Sequence, residues 1–399
     1  MRDGWAEVRL GDVLVLDNSK LGEHDEEPVV FSLSKYDGVV LADDYFDKRI
    51  ASDKLDGYKV LGPGGWAYST IHIDEGSIAT NHHGLTGVLS PMYTTMRWVG
   101  QDDDPRYFEL LLRTPRMLTV YRDHAAGTVN RRRSLAYKAF AELRVDVPPL
   151  VVQRRVVDLV DAVDAYAAAA QAGRLGVERA YLAVLVEQYG DLLATAPAEA
   201  FAAVAQSRLG KMLSKASKTG AAEHPYLRNA NVQWDELRLD DLNTMSFSKS
   251  EQAEFSLRAG DLLVCEGGEV GRAALVVEDL PQVFFQKALH RVRCGDRLLP
   301  RFLLHYLRYC AETGGFRDLA TAMTIQHLTG EKLKTLPVPV PPLDQQQALV
   351  DVLDASLQLG HRSDHVVETV MALRSALLGE LLSGDREVPE SYDDLVGVA

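Results

Sequence analysis

The sequence predicts an α+β protein made of two similar halves, each with a mixed α/β domain followed by a long helix. Three observations carry this prediction. The 399-residue chain contains an internal repeat, both copies end in Pro-Pro-Leu before a helical stretch, and the intervening segments alternate short β-rich runs with turns. A chain of this length has room for two or three domains of ordinary size.

The repeat is clearest at the end of each mixed domain. The segment Leu143-Arg-Val-Asp-Val-Pro-Pro-Leu150 returns as Leu336-Pro-Val-Pro-Val-Pro-Pro-Leu343, at an offset of 193 residues. A second echo, Arg9-Leu-Gly11 and Arg208-Leu-Gly210, is offset by 199 residues. Two echoes at nearly one period indicate a duplicated unit. The alternative is a chance match in a linker, which would leave the two following helices unrelated.

A long helix is predicted after each Pro-Pro-Leu. Proline is tolerated at a helix start and disfavours helix in the residue before it, and Asp344 with Gln347 has capping-box spacing. Apolar residues then recur at spacings of three and four, a narrow stripe that favours a coiled-coil seam between the two helices. The stripe residues are Val156, Leu159, Val163 and Tyr166 in the first copy and Val366, Val370, Leu373, Leu377 and Leu381 in the second.

These landmarks divide the chain into five segments. Short β-rich runs such as Asp261 to Cys265 and apolar helical runs such as Arg301 to Leu307 fill the mixed domains. The predicted segments are 1–147 for the first mixed domain, 148–195 for the first long helix, 196–340 for the second mixed domain, 341–384 for the second long helix and 385–399 for an acidic tail.

The net charge of the chain does not exclude nucleic acid as a partner. The formal charge is −14, from 43 Lys and Arg against 57 Asp and Glu. Residues 344–399 hold 3 basic and 11 acidic residues, a net −8, whereas residues 196–343 hold 18 basic and 17 acidic residues, a net +1. Binding to DNA needs only a local basic surface, and acidic helices suit protein contact.

Enzyme and metal motifs are missing from the sequence. It has no GxxxxGK[ST], HExxH or GxSxG motif. Neighbouring His82 and His83 cannot both face one ion from a regular element, so no metal site is expected. The three cysteines form no CxxC pair, and neither a membrane-length apolar run nor a signal-like start is seen. We therefore expect a cytoplasmic chain without catalysis, metal or cofactor of its own.

Side chains that suit DNA contact occur in several short runs. Arginine and lysine suit phosphates, and arginine, asparagine and glutamine also suit the edges of guanine and adenine. Each run taken singly is also compatible with a solvated turn. The candidates are Arg131, Arg132, Arg133 and Lys138 in the first half, and Arg228, Asn229, Asn231, Arg272, Gln286, Lys287, Thr324, Gln326 and His327 in the second.

Taken together, these motifs resemble the specificity (S) subunit of type I restriction-modification enzymes, the HsdS family. The second half carries Tyr226-Leu-Arg-Asn-Ala-Asn-Val232, Thr324-Ile-Gln-His-Leu-Thr-Gly330 and the Pro-Pro-Leu-Asp-Gln-Gln run that ends at Gln346. The ending Leu377-Leu-Gly-Glu-Leu-Leu-Ser-Gly384 is similar to the usual end of the family's helix. The first half departs more, with Gly127-Thr-Val-Asn-Arg-Arg in place of the Thr-Ile-Gln-His string.

The resemblance implies a role in DNA recognition, DNA modification and phage defence. Each mixed domain would be a target-recognition domain that reads one half of a bipartite sequence in double-stranded DNA. The helices would pair as an antiparallel coiled coil that sets the spacing between the half-sites. They would also dock two methyltransferase (M) subunits, which restriction (R) subunits join. S-adenosylmethionine and ATP would belong to those partners.

Two other classes of protein remain open at this point. The chain could be an enzyme that methylates or cuts DNA through a site that these motifs do not reveal. It could also serve a related defence or modification complex, or be an orphan S-like protein. A methyltransferase encoded beside it would favour the type I interpretation.

Overall fold

The protein is described from a computed structural model, which covers residues 4–23, 28–46, 54–127, 133–213, 223–316 and 327–396. It divides into two compact units. Unit 1 comprises residues 1–169 and 367–399, and unit 2 comprises residues 170–366. Each unit therefore contains one mixed domain together with parts of both long helices.

Unit 1 is built around a four-stranded antiparallel sheet. Its strands are β1 Ala6–Arg9, β2 Leu14–Leu16, β3 Phe31–Ser34, β4 Gly38–Leu41, β5 Lys59–Leu61, β6 Trp66–Ser69, β7 Ile78–Thr80, β8 Gly87–Leu89, β9 Tyr93–Trp98 and β10 Arg144–Val147. Its shorter helices are α1 Leu10–Val13, α2 Ala42–Tyr45, α3 Pro105–Leu112, α4 Pro115–His124 and α5 Tyr137–Ala141. The four-stranded sheet has the order β2-β9-β6-β7.

Unit 2 repeats this sheet. Its strands are β11 Ala198–Ala200, β12 Ala205–Leu209, β13 Glu223–Leu227, β14 Val232–Gln233, β15 Glu236–Leu237, β16 Asn243–Ser246, β17 Leu262–Cys265, β18 Ala273–Leu275, β19 Phe284–Phe285, β20 Leu289–Cys294 and β21 Pro337–Pro339. Its shorter helices are α7 Phe201–Val204, α8 Lys249–Glu254, α9 Pro300–Thr313 and α10 Gly330–Thr335. The order β12-β20-β17-β18 matches that of unit 1, so the predicted α+β class and internal repeat are confirmed.

One of the two predicted echoes is wrong. Leu10 begins α1 directly after β1, and the helix in the same place in unit 2 is α7, which begins at Phe201. Arg208-Leu-Gly210 lies instead at the end of β12. The two glycines also meet different neighbours, because Gly11 packs against Ala141 whereas Gly210 packs against Gln286. The matching tripeptides are therefore a coincidence.

A buried glutamine joins each long helix to its mixed domain. Gln153 accepts a hydrogen bond from the Asp104 backbone N–H at 2.9 Å and donates to the carbonyl oxygen of Pro148 at 2.9 Å. Gln346, 193 residues later, accepts from the Leu299 N–H at 2.9 Å and donates to the Pro341 carbonyl at 2.8 Å. Both side chains satisfy backbone groups at the start of a domain helix, α3 or α9, which fixes each long helix against its own domain.

The long helices are α6 Leu150–Thr195 and α11 Leu343–Ser383, and they contact each other within each unit. In unit 1, Asp164 of α6 binds Arg374 of α11, with 2.9 Å between Asp164 Oδ2 and Arg374 Nη2. In unit 2, Arg174 of α6 lies 3.2 Å from Asp364 of α11. Also in unit 2, a Cβ on Gly360 of α11 would lie 3.9 Å from Val177 of α6, so residue numbers rise along one helix as they fall along the other, as expected for the predicted antiparallel pair.

The predicted apolar stripe is only partly buried. Val156, Val370 and Leu381 are buried, Leu159 and Leu377 pack against the unit 1 core, and Val163 is half-buried. Tyr166, Val366 and Leu373 are exposed, which corrects their assignment to a buried seam. The helices also pack on the mixed domains, so their buried faces include neighbours that the stripe omits. Those neighbours are Val157, Val160 and Leu382 in unit 1 and Tyr181, Leu185, Tyr189, Leu349, Val350 and Leu353 in unit 2.

The acidic C-terminal segment is not a free tail, which corrects the prediction for residues 385–399. Val388 is buried in the unit 1 core, and Tyr392 packs against that core at the start of a short helix, α12 Tyr392–Val396. The guanidinium of Arg155 donates two hydrogen bonds to the Asp393 carboxylate, at 2.8 and 2.5 Å. Residues 397–399 lie outside the described residues. Segment composition alone predicted solvation here, whereas two residues packed on the core, Val388 and Tyr392, and one ion pair attach the segment.

Within the described ranges, no helix is both long and apolar enough to cross a membrane. The three cysteines are unbonded, and Cys265 and Cys310 are buried. Burial raises the pKa of the Cys265 thiol to about 11, so it is protonated at neutral pH.

Candidate nucleic-acid interface

The predicted polar residues of unit 2 converge on the loop between β17 and β18. The amide nitrogen of Asn229 donates to the carbonyl of Gly267 in that loop at 2.8 Å. A Cβ on Gly267 would lie 2.7 Å from Nδ1 of His327, so only glycine allows the histidine ring this close. Asn229 and His327, nearly one hundred residues apart in sequence, are therefore brought to one side of the same loop. We call this group the Gly267 loop site.

Arg272 fastens the same loop. Its Nη2 donates to the backbone carbonyl of Asn229 at 2.9 Å, and its Nη1 binds Glu269 at 3.0 Å. The side chain is only 17% exposed. Arg272 was predicted to contact a phosphate; the structure corrects this, because its donors hold the loop and Asn229 together.

Arg228 is the better placed cation of the site. Its side chain is 28% exposed and binds Asp241 at 2.5 Å, and that carboxylate is itself 77% exposed. A partner of this kind is largely solvated and contributes little to stability. Nε of Arg228 and Oδ1 of Asn229 have no hydrogen-bond partner among the described residues. Both atoms are buried, so the accessible groups of the site are the exposed part of the Arg228 side chain and the exposed His327.

Asn231 cannot read bases, which corrects its assignment. It is 2% exposed. Its amide nitrogen donates to the carbonyls of Arg238 and Asp241 at 3.0 and 2.8 Å, and its oxygen accepts from the Arg228 N–H at 3.1 Å. All of this hydrogen bonding shapes the turn that presents Arg228 and Asn229.

Gln286 and Lys287 lie beside the same strands. The Gln286 N–H donates to the carbonyl of Leu227 at 3.0 Å, next to Arg228 in sequence, and the Lys287 N–H donates to the carbonyl of Lys211 at 2.9 Å. Gln286 is half-buried and Lys287 is exposed. Lys211, which the sequence did not single out, supports these strands from beneath: its side chain is 14% exposed, and its ammonium binds Glu251 at 2.7 Å and the Ser246 carbonyl at 2.6 Å.

The remaining candidates do not form a comparable group. Arg133 donates twice to the carbonyl of Ala125, at 2.9 and 3.2 Å, and so caps the end of α4. Lys138 is exposed on α5. Four further candidates, Arg131, Arg132, Thr324 and Gln326, lie outside the described residues.

The described part of the chain holds no cluster of three or more metal-ligating side chains beside these residues. His82 binds Glu109 at 2.8 Å, whereas His83 binds the carbonyl of Val39 at 2.8 Å, so the two rings point to different partners. The chemistry available at the Gly267 loop site is hydrogen bonding and charge.

Comparison with known proteins finds a family model that covers this site. Residues 202–361 match the family model of the type I restriction modification DNA specificity domain. This range contains the whole Gly267 loop site and the first part of α11. No curated protein matches the chain.

Solved structures match the chain over nearly its full length. A chain from a study of complex assembly and conformational transition of the type I R-M system aligns with a TM-score of 0.62 at 17% identity, covering 97% of this chain and 99% of that one. The HsdS subunit from Thermoanaerobacter tengcongensis aligns with a TM-score of 0.51 at 18% identity, covering 97% and 98%. The type I S subunit from M. genitalium aligns with a TM-score of 0.51 at 11% identity, covering 94% and 96%. At these identities the alignments show a shared fold. The resemblance to type I specificity subunits is therefore confirmed: residues 202–361 match the model of the type I restriction modification DNA specificity domain, and the chain has the fold of those subunits throughout.

Proposed function

We propose that this chain is the DNA sequence-specificity subunit of a type I restriction-modification complex and reads a bipartite target. The observation that carries the proposal is the repeated sheet, β2-β9-β6-β7 in unit 1 and β12-β20-β17-β18 in unit 2. Two copies of one scaffold in one chain suit the recognition of two half-sites, one by each unit. The two long helices set the distance between the half-sites.

The Gly267 loop site supports this proposal in unit 2. Arg228 offers a guanidinium, Asn229 an amide and His327 a ring nitrogen, and these groups suit the edges of guanine and adenine. Arg272 and Asn231 hold the backbone that presents them. A rigid frame with a few accessible donors and acceptors is what direct recognition of base edges requires.

The chain itself is proposed to be non-catalytic. Two methyltransferase subunits dock on the paired helices, and restriction subunits join those, in the cytoplasm where the chromosome lies. S-adenosylmethionine and ATP are bound by these partners, not by this chain. A related defence or modification complex, or an orphan S-like protein, is the second candidate.

The proposal is tested by sequencing the methylome of the host with and without the gene. We expect deletion to remove one methylated motif that has two defined halves and a fixed spacer, and complementation to restore it. An unchanged methylome would contradict the proposal and favour the orphan. Loss of a motif without a spacer would indicate a different modification complex.

Substitution of Arg228 tests the assignment of a half-site to unit 2. We expect Arg228→Ala to relax methylation at one position of one half-site, because a good bidentate base contact contributes about 1–3 kcal/mol. The other half-site is the internal control and should be unchanged. Equal weakening at every sequence would mean that Arg228 contacts phosphate, and no change at all would remove it from the interface.

A further inference from the structure

Four arginines gather on one side of the four-stranded sheet of unit 2. Arg208 of β12 lies directly opposite Arg291 of β20, and Arg293 lies two residues further along β20. Arg258 approaches from the loop before β17 and lies 3.9 Å from Asp261. Like charges placed directly across an antiparallel pair destabilise a sheet. The placement therefore needs a reason other than stability.

The acidic residues nearby balance only part of this charge. Asp261, which is buried, holds Arg293 through two hydrogen bonds of 2.6 and 3.0 Å. Glu254 binds Arg208. Arg291, in contrast, donates to the backbone carbonyls of Glu254 and Ser256, at 2.9 and 2.6 Å, where it caps the end of α8. Two carboxylates thus face four guanidiniums.

Arg291 is the least compensated of the four. Its Nε is buried without a hydrogen-bond partner among the described residues. Burial and the neighbouring Arg293 guanidinium lower the pKa of Arg291 below its ordinary value, although the group stays charged at neutral pH. Capping of α8 accounts for the position of Nη1, whereas no contact in the described chain accounts for the burial of Nε. A bound anion would offset both the cost of burying this charge and the repulsion between the arginines.

The guanidiniums are also held in position. That of Arg208 lies over the ring of Phe255, 5.9 Å from its centroid, and that of Arg291 lies over Phe285 at 5.7 Å. Arg208 and Arg291, with Arg293 and Glu254, line a cleft of about 390 Å³. Stacking on a ring restricts a guanidinium while leaving its edge free to bind an oxyanion.

Unit 1 lacks this arrangement at the matching place. In the two sheets, β9 corresponds to β20 and β6 corresponds to β17. Thr95 of β9 lies opposite Ala67 of β6, and Arg291 of β20 lies opposite Leu263 of β17. Thr95 therefore has the position of Arg291. On the edge strand, Asp17 takes the place of Arg208, and its backbone carbonyl accepts a hydrogen bond from Thr95. The repeated scaffold therefore does not require arginine here.

We propose that Arg208 and Arg291 bind a phosphate of the DNA backbone. This inference rests on the proposed function and adds residues that position the duplex without reading its sequence. The cleft continues into the candidate interface, because Arg208 and Lys287 line one groove with Lys211. Gly210, between them, packs against the backbone of Gln286, where a side chain would collide. The proposed phosphate site of Arg208 and Arg291 therefore lies near β13, the strand that leads to Arg228.

The test measures how affinity depends on salt. The full chain, with the methyltransferase subunits that co-purify with it, is titrated with a duplex carrying the methylated motif and with a scrambled duplex, between 50 and 300 mM KCl. Each phosphate contact contributes about 0.9 to the slope of log K against log salt. We expect Arg208→Gln to reduce this slope by about 1 on both duplexes, and Arg208→Gln with Arg291→Gln to reduce it no further, because both arginines bind the same phosphate.

The matched control is Arg297→Gln. Arg297 is an exposed arginine of the same unit that binds Glu199 at 2.7 Å, outside the cleft, and its substitution should leave the slope unchanged. Thermal unfolding of the free chain gives a second readout. Arg208→Gln removes one of two opposed positive charges, so its unfolding temperature should equal or exceed that of the wild type. If Arg208 served only to stabilise the fold, the substitution would lower the unfolding temperature.

The outcomes separate this inference from the proposed function. If the wild-type complex binds the motif and Arg208→Gln keeps the wild-type slope, the phosphate site is overturned while the proposed function stands. If Arg208→Gln instead loses its co-purifying subunits and keeps the slope, the cluster binds an acidic protein surface, which also overturns it. If the wild-type complex binds neither duplex, both proposals fail.

Discussion

Units 1 and 2 share a scaffold, but their equivalent contacts are buried to different extents. Their equivalent sheet surfaces also carry different side chains. Both have the four-stranded sheet in the same order and a buried glutamine at the start of the long helix. Both also place an arginine of the domain helix on an aspartate of the long helix, Arg106 with Asp161 and Arg301 with Asp354. We call the contact between each mixed domain and its long helix a junction. The repeat preserves both junctions, whereas the sheet surfaces and the surroundings of each junction have diverged.

The C-terminal segment is the second difference between the halves. It packs Val388 and Tyr392 on unit 1 and binds Arg155 through Asp393. In the sequence repeat the position of Arg155 corresponds to Ala348, which cannot form such an ion pair. The segment therefore distinguishes the two junctions, and three predictions sharpen this comparison.

The buried glutamines should give the largest and most equal effects. Gln153→Ala or Gln346→Ala leaves backbone donors and acceptors unsatisfied in the interior, so each should cost about 3 kcal/mol of the stability of its own unit. Hydrogen exchange of α3 and α9 reports the two units separately, as a two-unit chain requires. Gln347→Ala, one residue along α11 and exposed, is the matched control. Loss in only one unit would contradict the equivalence of the junctions.

The aspartates of the junctions should differ in their effects. Asp354 binds Arg301 at 2.7 Å and His305, which is 1% exposed, at 2.8 Å. Burial acts to raise the pKa of the Asp354 carboxyl, but hydrogen bonds from His305 and Arg301 outweigh it and lower this pKa below its ordinary value. We expect Asp354→Ala to cost about 2 kcal/mol, because it leaves a buried histidine without its partner.

Asp161→Ala is the matched variant in unit 1. Arg106 and Asp161 are each nearly half exposed, so their ion pair should contribute less than about 1 kcal/mol. Denaturant unfolding followed by hydrogen exchange compares the two variants. Equal losses would mean that burial does not distinguish the two junctions.

The smallest effect should come from the C-terminal segment and depend on pH. Hydrogen bonding to Arg155 lowers the pKa of the Asp393 carboxyl below its ordinary value. A lowered pKa in the folded state means that the contact contributes fully above about pH 4 and is lost as pH falls through the folded value. Exchange protection of residues 386–394 should therefore decrease between pH 5 and pH 3.

Asp393→Asn is the control for this titration. It should show reduced protection at pH 5 and a flatter profile below it, because the titrating group is gone. If the variant follows the wild-type profile, another carboxyl controls the attachment of the segment.

Much of the fold could be predicted from local sequence. Pro-Pro-Leu marked the starts of α6 and α11, and alternation of β-rich runs with turns marked the mixed domains, since both signals depend on neighbouring residues. The Arg-Leu-Gly echo failed because three residues do not specify a place in a topology. The apolar stripe was incomplete because each helix packs on two neighbours, which broadens its buried face.

The candidate site shows the same division. The polar runs that include Arg228 and Asn229 were recognisable from residue type, but Asn231 and Arg272 carry equally polar groups and are used inside the protein. Arg208 and Arg291 were missed because they are 83 residues apart in the chain. The alternation Arg291-Val-Arg293 on a strand was the one local signal for that cluster.

The sequence by itself determined the class of the fold, the repeat and the resemblance to type I specificity subunits, because periodicity, proline positions and motif strings are local properties of the chain. Only the tertiary structure decided which polar side chains bind the protein's own backbone and which are accessible to a ligand. It also decided that the acidic C-terminal segment attaches to unit 1 and that two arginines stand opposed on one sheet. These properties depend on strand pairing and burial, which join residues that are distant in sequence.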